Sequence, residues 1–133
     1  MKKLYYEIAQ WSIKTFPGSE PITHLLKLRE EVNEAIVSPE TISEYADCLI
    51  ALFAASNKAG IMFTELLMKT CVKLEENKKR KWKKQPDGTY QHVCKHKLKP
   101  PTEDQIREYT LLHQDKFSLV DFADWITKTL SNG

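Results

Sequence analysis

Glycine is scarce in this chain: four residues in 133, against an average usage near ~7%. The four are scattered, so no glycine-rich loop is available to cradle a phosphate. Cysteine is sparse as well. Cys48, Cys71 and Cys94 are odd in number and widely spaced, which speaks against a disulfide framework and against a paired Cys-x-x-Cys zinc site. Cys48 and Cys71 stand in apolar helical contexts and read as small core residues. No apolar run approaches the ~20 residues that span a bilayer. The opening Met1-Lys2-Lys3-Leu4-Tyr5-Tyr6 lacks an apolar stretch followed by a small-residue cleavage site. No Ser or Cys sits in a nucleophilic-triad context. Net charge is only +2, so no global field argues for nucleic acid or membrane. The expectation is a soluble, cytoplasmic chain in a reducing compartment, with no membrane partner.

What is present is helical periodicity and local charge. At 133 residues the chain suggests one domain that can bury a real core. Leu4, Ile8 and Trp11 recur at helical spacing and predict a helix over 3–14. Phe16-Pro17-Gly18-Ser19 breaks it. Pro21 suits a first helical turn, and Ile22, Leu25, Leu26, Leu28, Val32, Ala35 and Ile36 carry a second helix to about Val37. Ser38, Thr41 or Ser43 is placed to cap a third. That third helix is apolar on most sides through Tyr45, Cys48, Leu49, Leu52 and Phe53, the mark of a buried or interface helix. Gly60 fits its C-terminal cap. A fourth helix is expected from Thr64 to about Trp82.

Beyond Trp82 the character changes. Pro86-Asp87-Gly88 is a turn signal, and Thr89 to Val93 suits a short extended segment. Thr102 with Glu103 and Asp104 marks a helix start. A last helix is expected from Ser118 to Leu130, with Ser118 and Asp121 as its capping pair. The organisation expected is all-α: a domain over 1–97, built on four helices to about residue 82, and a C-terminal helical extension over 98–133 packing on it.

Glu31 and Glu34 are three apart in the second helix and share a face. Glu44 and Asp47 are likewise three apart in the third. Helices joined by a short connection pack antiparallel, so both pairs can meet at one end of the hairpin. Four carboxylates together repel, and hard oxygen ligands suit Mg²⁺ or Mn²⁺ rather than zinc. Glutamate-rich helix faces are more often solvated decoration. Here, though, Asp47 lies in an apolar run, where an unpartnered carboxylate would be costly. On the fourth helix Lys73, Asn77 and Arg80 share a face, suited to polyphosphate. The alternative is a solvated helix end whose lysines complement the dipole.

The string Glu30-Glu31-Val32-Asn33-Glu34 followed by Glu44-Tyr45-Ala46-Asp47 resembles the EExxE…ExxD signature of MazG-type all-α nucleoside triphosphate pyrophosphohydrolases. Lys73 to Trp82 resembles the KxxxNxxRxW stretch that follows it. Trp11 to Phe16 and His24 to Lys27 look like a phage and bacterial branch acting on dATP and dGTP. The resemblance covers roughly 8–95. It implies a helical bundle completed by oligomerisation, as a homodimer or tetramer. It assigns two or more divalent ions to Glu31, Glu34, Glu44 and Asp47. Catalytic roles fall on Glu31 and on Glu30, which would orient the attacking water or take its proton. It implies cleavage of purine deoxynucleoside triphosphates, dGTP or dATP, to monophosphate and pyrophosphate. Substrate contacts are expected from Lys27, Lys73, Asn77, Arg80 and Trp82, and Trp11, Phe16, His24 and Trp82 are candidates for the base, although such residues more often serve a core or an interface.

Two other readings compete. The basic run Lys78 to Lys84 with Trp82 inside suits a nucleic-acid-binding module, against which stand the low net charge and the acidic pairs. His92, Cys94, His96 and His113 offer zinc-ligand types but no second paired motif.

Overall fold

The computed structural model describes residues 1–93, 101–112, 124–126 and 128. The chain divides into two compact units, Met1–Leu66 and Leu67–Gly133. Helices dominate, as an all-α reading requires: α1 Lys2–Thr15, α2 Pro21–Val37, α3 Ile42–Lys58, α4 Phe63–Lys79 and α5 Glu103–Leu112. Among the described residues no single helix is long and apolar enough to cross a membrane.

The first unit is organised around α3, which packs on both α2 and α1. Its core is Tyr5, Ile8 and Ala9 of α1, Ala51, Phe53, Ala54 and Ala55 of α3, and Phe63. The small residues of α3 let helix backbones approach. Tyr5 is fully buried and stacks edgewise on Phe53 with centroids 5.1 Å apart. Its hydroxyl donates to the Ile61 carbonyl at 2.7 Å and meets Ser56 Oγ at 3.1 Å, so this ring brings its own polar atom a partner. Gly60, at φ 78°, ends α3 as expected. The Ile61 N–H donates to the Ser56 carbonyl at 3.0 Å and the Gly60 N–H to the Asn57 carbonyl at 2.9 Å, a Schellman ending.

In the second unit Met68 and Val72 of α4 form a core with Ile106, Tyr109 and Ile126. Cys71 packs partly against it; it and Cys48 are half-buried rather than fully interior. Thr102 starts α5 by reciprocal bonds with Gln105: its N–H donates to Gln105 Oε1 at 2.9 Å, and Gln105 N–H to Thr102 Oγ1 at 3.2 Å. Of the helix expected over 118–130, the described residues Asp124–Ile126 and Lys128 are helical. The rest lies outside the described residues.

The fourth helix differs from expectation. It stops at Lys79, and Trp82–Lys84 forms a strand, β1, antiparallel to β2 at Tyr90–His92. Trp82 pairs with His92 and Lys84 with Tyr90. Backbone pairing across the Pro86-Asp87-Gly88 turn takes the chain out of the helix. The Asp87 carboxylate accepts the Thr89 N–H at 2.9 Å, and its bonds from Thr89 hold it below the usual carboxylate range.

Candidate functional site

Four residues, Ser38–Thr41, connect α2 to α3. The Thr41 N–H donates to the Ser38 carbonyl at 3.0 Å, and the Tyr45 hydroxyl donates to the Pro39 carbonyl at 2.8 Å. This tight connection folds the last turns of α2 against the first turns of α3. Carboxylate oxygens of Glu31, Glu44 and Asp47 consequently lie within 4.8 Å of one another.

Three of the four expected ligands are thus brought together. Glu34 is not in that set. It is exposed and lines, with Asn33, Val37, Ser38 and Glu44, an open groove of about 400 Å³. The burial differs from expectation too. Asp47 is exposed, Glu44 half-buried, and Glu31 is the interior member at 7% exposure. An apolar string around a residue does not bury it; helix packing does, and on α2 the buried positions are His24 and Glu31.

Lys27 Nζ lies 2.7 Å from Glu31 Oε1 and 3.5 Å from Glu30 Oε2. The bond to Glu31 holds the Lys27 ammonium above its ordinary pKa. Ser43 donates to Glu44 Oε1 at 3.3 Å. One ammonium and one hydroxyl leave three clustered carboxylates under-neutralised. An all-oxygen set of this size fits a hard divalent cation, and nothing in it favours zinc.

The aromatic candidates gather at the α1–α2 junction. Trp11 and Phe16 are half-exposed and meet edgewise at 5.4 Å; Phe16 meets His24 at 6.0 Å. His24 itself is buried, with Nε2 3.3 Å from Ser12 Oγ and 3.0 Å from Ser19 Oγ. Burial, and then the charge of Lys58, push its pKa below the ordinary value.

The expected basic face belongs to the second unit. Lys73 Nζ is 2.9 Å from Glu76 Oε2. Arg80 donates from Nη1 to Asn77 Oδ1 at 3.1 Å, and its Nη2 lies 3.8 Å from Glu76 Oε2. Trp82 Nε1 donates to the Asn77 carbonyl at 3.0 Å. Within the basic run Lys78 is paired with Glu75 at 2.6 Å. Sequence reasoning passed over Glu76. The signal was its spacing: Met68, Val72 and Glu76 form one stripe four residues apart, and all three are buried. Of the zinc-type residues only His92 is described, exposed on β2; Cys94, His96 and His113 lie outside the described residues.

Residues 4–100 match the sequence family described as dATP/dGTP pyrophosphohydrolase. This chain belongs to that family. It is 33% identical over 87 residues to a dATP/dGTP diphosphohydrolase of Salmonella phage PMBT28, an overlap of 65% of this chain and 29% of that relative. The chain therefore spans under a third of that protein's length. A dATP/dGTP diphosphohydrolase of cyanophage S-2L is 31% identical over 93 residues, covering 68% of this chain and 86% of the relative. A solved structure of the cyanophage S-2L MazG-like pyrophosphohydrolase, bound to dGDP and three catalytic Mn²⁺ ions per active site, superposes with a TM-score of 0.57 at 32% identity. That match covers 69% of this chain and 95% of the other. The fold of this dATP/dGTP pyrophosphohydrolase family member is accordingly MazG-like, and its donor set fits the divalent-metal chemistry of that neighbour.

Proposed function

We propose that the chain hydrolyses purine deoxynucleoside triphosphates, dGTP or dATP, between the α and β phosphates, releasing the monophosphate and pyrophosphate. The observation that carries this is the approach of Glu31, Glu44 and Asp47 oxygens within 4.8 Å in a member of this family. These residues, with Glu34 on the adjoining groove, would hold two or more Mg²⁺ or Mn²⁺ ions. When bound, the ions supply Lewis acidity to the phosphoryl oxygens and a nucleophile at neutral pH.

The chain's own groups supply the rest. Glu30, exposed one residue before Glu31, would take the proton of the attacking water. Lys27 would offer its ammonium to phosphate oxygens. Lys73 and Arg80 would offset charge developing on the leaving pyrophosphate, Arg80 through its planar fork. Trp82 and Asn77 would fix the base of that face. Trp11 and Phe16 expose aromatic surface that suits a purine, with His24 setting their junction.

The functional domain is proposed to be residues 1–97, with 98–133 an extension, working in the cytoplasm as a dimer or tetramer. Exposed Ile42, Tyr45, Leu49 and Leu52 on α3 support oligomerisation, because a row of bulky apolar groups gains by burial. Elution as a monomer at all concentrations would reject that part. A panel of nucleoside triphosphates with Mg²⁺ or Mn²⁺ tests the reaction. Pyrophosphate and monophosphate are expected; inorganic phosphate with a diphosphate rejects the bond, and no turnover rejects the enzyme.

A further inference from the structure

Glu76 is 6% exposed, and its Oε1 has no hydrogen-bond partner among the described residues. It continues the Met68–Val72 stripe of α4. A carboxylate there is expensive, and an apolar side chain of similar volume would often serve stability as well or better. The compensation visible is geometric. A single oxygen, Oε2, gathers Lys73 Nζ at 2.9 Å from the preceding turn and Arg80 Nη2 at 3.8 Å from just past the helix end. An ammonium has three donors and a guanidinium five, so the tether engages only part of each. Asn77 holds the guanidinium from its other nitrogen.

We propose that Glu76 is a positioning residue: it fixes Lys73 and Arg80 as one preorganised pair for the phosphate chain. This rests on the reading that the Lys73–Arg80 face binds phosphate. Preorganisation matters because a freely rotating Lys or Arg loses side-chain entropy each time it captures an oxyanion. Simple charge counting gives the opposite expectation, since removing a negative charge beside two cations should strengthen anion binding.

The test compares Glu76→Gln and Glu76→Met in the full chain. Readouts are kcat and KM for dGTP with Mn²⁺, equilibrium affinity for inorganic tripolyphosphate, Mn²⁺ affinity without nucleotide, and Tm. Both variants are expected to raise KM and weaken tripolyphosphate binding about tenfold, the loss of one charge-assisted contact. Expected alongside are a kcat within about threefold and an unchanged Mn²⁺ affinity, with Tm unchanged or higher for Glu76→Met. Adding Glu76→Gln to Lys73→Ala/Arg80→Ala should then cost less than about twofold more, because the partners are gone. Tighter tripolyphosphate binding in Glu76→Gln, or full additivity with the double variant, overturns the proposal. A lower Tm with unchanged tripolyphosphate affinity makes Glu76 structural and also overturns it. If Lys73→Ala and Arg80→Ala themselves leave tripolyphosphate binding unchanged, the phosphate reading of this face fails instead.

Discussion

Lys27 Nζ and Glu31 Oε1 are 2.7 Å apart, so a lysine already holds the most buried carboxylate of the acidic cluster. A divalent cation held by this cluster would draw on the same carboxylate. Lys27→Met should therefore tighten Mn²⁺ binding without nucleotide roughly two- to fivefold, the range of a partly exposed ion pair, while raising KM for the triphosphate. Calorimetric titration measures the first and steady-state kinetics the second. Weaker Mn²⁺ binding would show that Lys27 organises the acids rather than competing for them.

Glu31→Gln, Glu44→Gln and Asp47→Asn each keep shape and remove a negative charge from the cluster. Turnover of dGTP should fall on the order of 10²-fold or more in each. Glu34→Gln, on the groove wall, should lose turnover as well. Full activity in Glu34→Gln would confine the metal set to the other three acids.

His24 gives a pH prediction. Its folded pKa lies below the ordinary value, so the native state prefers the neutral ring. The unfolded chain takes up a proton as pH falls through about 6.5, and from there stability declines until the lower folded pKa is passed. His24→Gln should lessen that decline between pH 6.5 and the folded pKa. Denaturant titrations across that interval read the difference; parallel curves would show that His24 does not couple folding to pH.

Two buried residues test the cores. Tyr5→Phe leaves the Ile61 carbonyl without its donor and should cost about 1–2 kcal/mol. Met68→Ala empties a fully buried site in the second unit and should cost about 2–5 kcal/mol. Chemical denaturation with an unchanged m-value is the measure.

Helix positions were legible because periodicity and punctuation agree. Pro21 opens α2 and Gly60 closes α3, both as read from the chain. The acidic site was legible in its members and its location, since a hairpin with a four-residue connection leaves few ways for Glu31, Glu44 and Asp47 to avoid one another. Exposure was not legible. Asp47 lies in the more apolar string, yet Glu31 is the buried acid, because inter-helix packing decides which side of each helix is covered. The strand at Trp82 was missed for a similar reason: its partner at His92 lies ten positions on, outside any helical window. Glu76 was missed because a carboxylate among lysines looks like surface until its neighbours on the stripe are seen to be interior.

The tight Ser38–Thr41 connection has a kinetic consequence. The three clustered acids fall within 17 consecutive residues, 31 to 47, so their meeting closes only a short loop. Contacts of such low sequence separation form early. The α2–α3 hairpin therefore brings its acids together through local contacts, without waiting for pairings between distant parts of the chain.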